Sequence, residues 1–419
     1  MSIECTKLPN GLRIVTDPVP PVESVAVGIW VDVGTRHEDL KYNGIAHMVE
    51  HMMFKGTPTR TAARIAEEIE NVGGQMNAYT SREITSYHIH LLKEDLELAL
   101  DVLADIIVRP TMPEIEVERE RQVILQEIGM TLDTPDDLVF DHYQETAYPR
   151  QALGAPILGR AEIIESMDRD ALMDYVGNYY TPSRMVVSVS GNTDHETMTR
   201  LVQEKFTGLR PDGTAKQTDA VYEGGEHRAE KELEQGHIVL GFEGVSRHDD
   251  DYYAAMLLST VLGGGMSSRL FQEVREKRGL VYAVFSHHTS YQDHGQFMIY
   301  AGTGPANLTE LMPVLCDEIG KMRQPVSAEE LQRAKAQIRA ELLMGRESMM
   351  RRANQQAKHM IHFGAVIDLQ EKLQKLDAVT EKDVSKLAAK IFATSPTLAA
   401  LGPVKKLEPY DAIAERLAA

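Results

Sequence analysis

The sequence predicts an α+β protein made of two duplicated domains, each a mixed β-sheet packed with helices. Three observations carry that expectation. The chain has 419 residues, enough for two or three ordinary domains rather than one. Strand-like and helix-like segments alternate along it. The order of those segments then recurs at an offset of about 211 to 214 residues.

The elements follow from local pattern. Residues 25–33 (VAVGIWVDV) form a continuous apolar run of buried-strand type. Residues 44–54 and 61–71 read as helices, and 84–91 alternates like a strand. Residues 96–107 and 114–130 carry helical spacing of apolar side chains. Residues 185–190 (MVVSVS) are a short strand ended by Gly191-Asn192. Gly34-Thr35-Arg36-His37-Glu38-Asp39 then returns as Val245-Ser246-Arg247-His248-Asp249-Asp250, and Val102-Leu103-Ala104-Asp105 as Val314-Leu315-Cys316-Asp317. The strand after Thr181-Pro182 returns after Ser395-Pro396. One short echo is chance; three at one offset indicate duplication. The division expected is a domain over 1–209, a polar, turn-rich linker over 210–228 and a second domain over 229–419.

Composition bounds the function. Apolar residues make up 43% and charged residues 26%, which is globular composition. No apolar run approaches the roughly 18 residues of a membrane span, and the N-terminal residues lack the pattern of a signal peptide. Cys5 and Cys316 stand far apart, giving neither a disulfide framework nor a thiolate metal cluster, so a reducing, cytoplasmic setting is expected. The formal net charge of −19 argues against nucleic acid as the main partner and permits a basic ligand.

The chemistry concentrates in Asn43-Gly44-Ile45-Ala46-His47-Met48-Val49-Glu50-His51-Met52-Met53-Phe54-Lys55-Gly56-Thr57. His47 and His51 are i and i+4 on a helix, so two imidazoles can share one zinc ion. Glu50 lies on the same side, where its carboxylate can reach a water at the metal. This is H-x-x-E-H, the inverse of the commoner zinc-peptidase motif. Read blandly, it is two surface histidines on an acidic helix. A catalytic zinc needs a third protein ligand and one open position. The helical stretch 114–130 offers Glu120 and Glu127 on one face, two turns apart. Spacing alone leaves open which of them ligates and which supports.

These residues, with Gly73-Gly74-Gln75-Met76-Asn77-Ala78-Tyr79-Thr80-Ser81-Arg82-Glu83, Val139-Phe140-Asp141-His142 and Arg278-Gly279-Leu280-Val281-Tyr282, carry a resemblance that spans essentially the whole chain. The sequence resembles the pitrilysin-type zinc peptidases, and among them the β subunit of mitochondrial processing peptidase and its bacterial relatives. The resemblance implies one zinc per chain, with Glu127 as third ligand and Glu120 as its support. It implies Glu50 as general base, with Arg278 and Tyr282 of the second half as donors to the developing oxyanion. It implies that 73–87 holds a strand on which an extended peptide pairs around Asn77 and Ala78. Phe54 matches the aromatic residue of the pocket just after the cut. Asp137 and Asp141, i and i+4 on an expected continuation of the Glu127 helix region, match acidic residues that recognise an arginine two residues before the cut.

Other motifs are set aside. Gly263-Gly264-Gly265-Met266-Ser267-Ser268 lacks the lysine and spacing of a phosphate loop and is expected to cap the preceding helix. His359 and His362 read as ordinary helix residues. His287 and His288 face opposite ways on a strand. The second-half positions that answer to the zinc motif fall in 257–262 (LLSTVL), so that half has no zinc site of its own. The function expected is a zinc endopeptidase for extended, basic, presequence-like peptides, working as a homodimer or with a related second chain. The alternatives are a non-catalytic structural subunit like the core proteins of the respiratory bc1 complex, a zinc-binding holder of peptides, and a broad oligopeptidase.

Overall fold

The computed structural model describes residues 2–211 and 219–418, so 212–218 of the expected linker lie outside the described residues. The first sheet is built from Glu4–Lys7 (β1), Arg13–Pro18 (β2), Ser24–Val31 (β3), Gln75–Thr80 (β4), Thr85–Leu92 (β5) and Met185–Gly191 (β6). Their order across it is β1-β2-β6-β3-β5-β4. Only β2 and β6 run parallel; the other neighbours are antiparallel. The second sheet is built from Gly225–Glu230 (β7), Gly236–Gly244 (β8), Ala283–Ser290 (β9), Gly295–Thr303 (β10) and Thr397–Gly402 (β11), ordered β7-β11-β8-β10-β9. Again one pair is parallel, β7 with β11, and the rest antiparallel.

With β1 left aside, the two sheets share one topology. β2-β6-β3-β5-β4 answers to β7-β11-β8-β10-β9, and the parallel pair occupies the same place in each. The fold is therefore α+β with two similar domains, each a mixed sheet packed with helices. The structure moves the ends of the expected elements by a residue or two at most. The 25–33 run becomes β3, and 185–190 becomes β6, buried along its whole length. The helices that matter for the site are Ile45–Met53 (α1), Ala62–Glu70 (α2), Leu96–Val108 (α3) and Glu114–Leu132 (α4). Three more define the packing: Pro135–Ala147 (α5), Tyr252–Gly263 (α6) and Met349–Phe363 (α7).

The two compact units are not continuous in sequence. The first takes Leu342–Ile367, and with it α7, from the second half of the chain; the second takes Met130–Gly154, and with it α5, from the first half. Division of the chain into two linear halves does not anticipate this exchange. Its cause is apolar surface. In the first unit α7 lays Met349, Ala353, Ala357 and Met360 on Val15, Ala26, Trp30 and Val186. In the second, α5 buries Val139, Tyr143 and Ala147 against Val239, Met298, Ala399 and Leu401. The expected linker also ends early, because its last residues form β7 in the second sheet. No helix among the described residues is long and apolar enough to cross a membrane.

Polar contacts fix α7 in register. Arg352 donates to both oxygens of Asp17, at 2.8 and 2.6 Å, and the Asp17 side chain is 2% exposed. Asn354 Oδ1 accepts from Trp30 Nε1 at 2.9 Å and from the Tyr79 hydroxyl at 2.8 Å. Breaking a buried ion pair from one side costs about 3–5 kcal/mol, because a charge is left uncompensated. Arg352→Ala is therefore expected to lower the free energy of urea unfolding by that amount. The double change Asp17→Asn with Arg352→Met is expected to recover most of it. A double variant no more stable than Arg352→Ala would show that the loss does not come from an uncompensated charge on Asp17.

Candidate active site

Helix α1 begins abruptly. Gly44 sits at φ +94°, a left-handed conformation, and a Cβ there would meet Gly159 Cα at 2.7 Å. The first turn is held from below by Glu38. Its Oε2 accepts from the Gly44 amide at 2.9 Å and from Asn43 Nδ2 at 3.0 Å, and its Oε1 accepts from the Ala46 amide at 2.9 Å. These are donors a helix N-terminus otherwise leaves unpaired. Burial pushes the Glu38 carboxyl up to about 7, against the pull of its three donors. The helix then buries Ala46, Met48, Val49, Met52 and Met53 in the first core. With those positions committed, His47, Glu50 and His51 are left on the partly open face.

Helix α4 brings the glutamates to that face. Glu127 Oε2 lies 3.7 Å from His47 Nε2 and 3.9 Å from His51 Nε2. The two rings stand 4.6 Å apart, inclined at 64°. One donor atom from each of His47, His51 and Glu127 lies within 4.8 Å of the others. Glu120 approaches from the other side of His51, its Oε2 3.0 Å from Nδ1. Lys55 Nζ lies 2.7 Å from the second oxygen of Glu120. That pairing keeps Glu120 an acceptor, so His51 donates from Nδ1 and turns Nε2 towards Glu127. Burial and the neighbouring His51 push the His47 imidazole down to about 4, so it is neutral at neutral pH. Two imidazoles and a carboxylate are the donor set of a three-ligand zinc site with an open fourth position, and they fit that ion.

Glu50 is mostly buried, and burial raises its carboxyl above the ordinary range. Its Oε2 accepts from Thr80 Oγ1 at 2.6 Å. A cavity of about 320 Å³ opens beside it, lined by Phe54, Lys55, Ile65, Ala66, Met76 and Glu120 among others. Phe54 leans on Tyr87, ring centroids 5.9 Å apart. Asn77 and Ala78 lie on β4, which pairs with β5 on one side and closes the sheet on the other. Asn77 is exposed and Ala78 half-buried.

The other four expected residues belong to the second unit. Helix α4 does not continue into the Asp137 and Asp141 segment, which corrects that expectation. The helix stops at Leu132, and a new one begins at Pro135, whose ring fits a first turn and not a helix interior. On α5 Asp137 is exposed and Asp141 half-buried. Arg278 lies 3.7 Å from Glu310. Tyr282, 75% exposed, takes a different arginine: the Arg275 guanidinium sits 5.4 Å from its ring and 4.8 Å from that of Phe271. Arg275 lies in a π-helical turn, Phe271–Glu276. The structure thus pairs Tyr282 with Arg275 rather than with Arg278. Sequence reasoning also passed over Glu38, Lys55 and Thr80. Lys55 carried a signal, one turn beyond His51; Glu38 and Thr80 meet α1 only through the fold.

Residues 13–161 match the family model described as insulinase (peptidase family M16), and residues 166–338 match the one described as peptidase M16 inactive domain. An uncharacterized zinc protease of Rickettsia bellii is 41% identical over 95% of this chain and 97% of that protein. The uncharacterized zinc protease YmxG of Bacillus subtilis is 39% identical over 94% of this chain and 97% of its own length. The crystal structure of a protease from Helicobacter pylori superposes with a TM-score of 0.91 at 25% identity, covering 96% of this chain and 99% of that one. Fold and sequence together define a pitrilysin-type metallopeptidase. The chain belongs to peptidase family M16.

Glu38 gives a pH signature. Its carboxyl is raised in the folded chain, from 4.5 to about 7, so folding favours the protonated form. The corresponding stability is fully present below about pH 4.5 and is lost as pH rises through about 7. Relative to Glu38→Gln, the native chain is expected to lose roughly 3 kcal/mol across that window, and then to stay level. Urea midpoints of both proteins from pH 4.5 to pH 8 check this; parallel profiles would remove Glu38 as the titrating group.

Proposed function

We propose that this metallopeptidase is an endopeptidase for extended, basic peptides, with one zinc ion per chain held by His47 Nε2, His51 Nε2 and Glu127. The observation that carries the reading is the convergence of both Nε2 atoms on one Glu127 oxygen, while Glu120, itself paired with Lys55, meets the far nitrogen of His51. When bound, zinc supplies Lewis acidity there, polarising a carbonyl and lowering the pKa of a coordinated water towards about 7. Glu50, with Oε2 occupied by Thr80, has Oε1 to take the proton of the attacking water and pass it to the leaving amine. Its raised pKa suits both halves of that transfer. An extended peptide adds to β4 beside Asn77 and Ala78 through main-chain hydrogen bonds. The cavity at Phe54, Ile65 and Met76 takes the side chain just after the cut. Tyr282, with Arg275 against its ring and Arg278 in the following turn, supplies donors to the charge that develops on the carbonyl oxygen. Asp137 and Asp141 pair with an arginine two residues before the cut. A second chain, identical or related, completes the assembly. A non-catalytic reading gains nothing from the site, since His47, Glu50, His51 and Glu127 all stand together.

Two experiments test the reading. In the first, Glu127→Gln is expected to lose zinc on dialysis while Glu120→Gln keeps most of it. A lost ligand outweighs a lost supporting partner, itself worth about 10–100-fold in affinity. Equal metal content in the two purified variants would reverse the assignment. In the second, a peptide library is digested by the wild type, by Glu50→Gln and by Asp137→Asn/Asp141→Asn. Glu50→Gln is expected to keep zinc and lose on the order of 10²–10⁴-fold in turnover. The double variant is expected to lose the enrichment of arginine two residues before the cut, with zinc unchanged. An unenriched wild-type profile would make the enzyme a broad oligopeptidase.

A further inference from the structure

We propose that Thr80 is a positioning residue which ties the peptide-pairing strand to the general base, so that one element sets both the peptide's register and the aim of Glu50. The inference rests on the reading of Glu50 as the base and β4 as the pairing strand. Thr80 is the last residue of β4 and pairs with Thr85. Side chains alternate along a strand, so Met76, Ala78 and Thr80 share one face. Met76 and Ala78 line the cavity that Glu50 also lines, and Thr80 donates its hydroxyl to Glu50 Oε2 at 2.6 Å.

A second route joins the same two elements. The turn after Thr80 is closed by the Ser81 amide to Ile84 O at 2.9 Å, by Ser81 Oγ to Ile84 O at 2.8 Å and by the Ile84 amide to Ser81 Oγ at 3.1 Å. That turn is bolted to the segment leading into α1. The Thr35 amide donates to Ser81 O at 3.1 Å and the Arg36 amide to Arg82 O at 2.9 Å. Arg36 Nη1 meets Glu83 Oε1 at 2.7 Å, the two side chains 1% and 9% exposed. Gly34 permits the approach, since a Cβ there would meet Ser81 O at 2.2 Å. Two residues beyond Arg36, Glu38 caps α1. β4 and α1 are thus a closed frame, and the Thr80–Glu50 hydrogen bond links its strand to the side chain of the reacting group.

The physical consequence is preorganisation. A glutamate side chain has several torsions to order before it can act, and freezing them in the transition state raises the barrier. Thr80, stiff at χ1 because it is β-branched, holds one carboxylate oxygen so that the other is aimed. Valine keeps the shape and removes the donor; serine keeps the donor and loosens the shape. The zinc-loaded Thr80→Val, Thr80→Ser and Glu50→Gln variants, and Thr80→Val combined with Glu50→Gln, are assayed on a quenched fluorescent extended peptide. Zinc content is measured alongside, and peptide affinity of the metal-free proteins is read by fluorescence anisotropy. Thr80→Val is expected to lower kcat on the order of 10- to 100-fold, with zinc content, KM and metal-free peptide affinity changed by less than about 2-fold. Thr80→Ser is expected to restore most of kcat. The combined variant is expected to match Glu50→Gln alone, because Thr80 acts through Glu50. Wild-type kcat in Thr80→Val, no rescue by serine, or a further loss on top of Glu50→Gln would each overturn the inference. If Thr80→Val does not fold, Thr80→Ala against Thr80→Ser carries the same comparison. Full turnover in Glu50→Gln would instead overturn the reading of the base; an inactive Glu50→Gln beside a fully active Thr80→Val overturns only the role of Thr80.

Discussion

The site depends on one buried carboxylate beneath the start of one helix. Glu38 gathers the amides of Gly44 and Ala46 and the side chain of Asn43, and so decides where α1 begins. His47 follows Ala46 directly. A shift of one residue in that start would rotate the helix by about 100° and carry His47, Glu50 and His51 into the core, while Met48 and Met52 came out. The apolar side of α1 makes such a shift costly, because Met48, Val49, Met52 and Met53 are buried. Cap and core therefore specify the same register from two directions.

Around that helix the polar groups are arranged in series. Lys55 holds Glu120, Glu120 orients His51, and His51 and His47 turn their Nε2 atoms on Glu127. Each step removes a rotational or tautomeric freedom that a metal ion would otherwise have to pay for. His47 contributes by burial, which keeps its ring neutral and available as a donor. Glu50 stands outside this series and is governed by the strand instead, through Thr80. The histidine–Glu127 group and Glu50 are thus supported by different neighbours.

The second unit repeats the strand order of the first without its chemistry. Helix α6 follows β8 as α1 follows β3, yet it presents Leu257, Leu258, Val261 and Leu262, all buried, in the stretch that answers to the zinc motif. The second unit carries other groups: the Arg275, Phe271 and Tyr282 stack and the acidic residues of α5. Exchange of α5 and α7 means that each sheet is covered by a helix from the other half of the chain.

The sequence by itself determined the α+β class, the duplication and the helix bearing His47, Glu50 and His51, because period, recurrence and i, i+4 spacing are local properties that the chain states directly. It also narrowed the third donor to Glu120 or Glu127, since both stand on one face of one helix. Only the tertiary structure set those two glutamates on opposite nitrogens of His51. Only it showed that Pro135 begins a new helix, that Arg275 lies against the Tyr282 ring, and that Glu38 and Thr80 bracket α1 from loop and strand. Those facts depend on contacts between residues far apart in the chain or on the direction in which a side chain leaves its turn. Neither is encoded in the spacing of residue types.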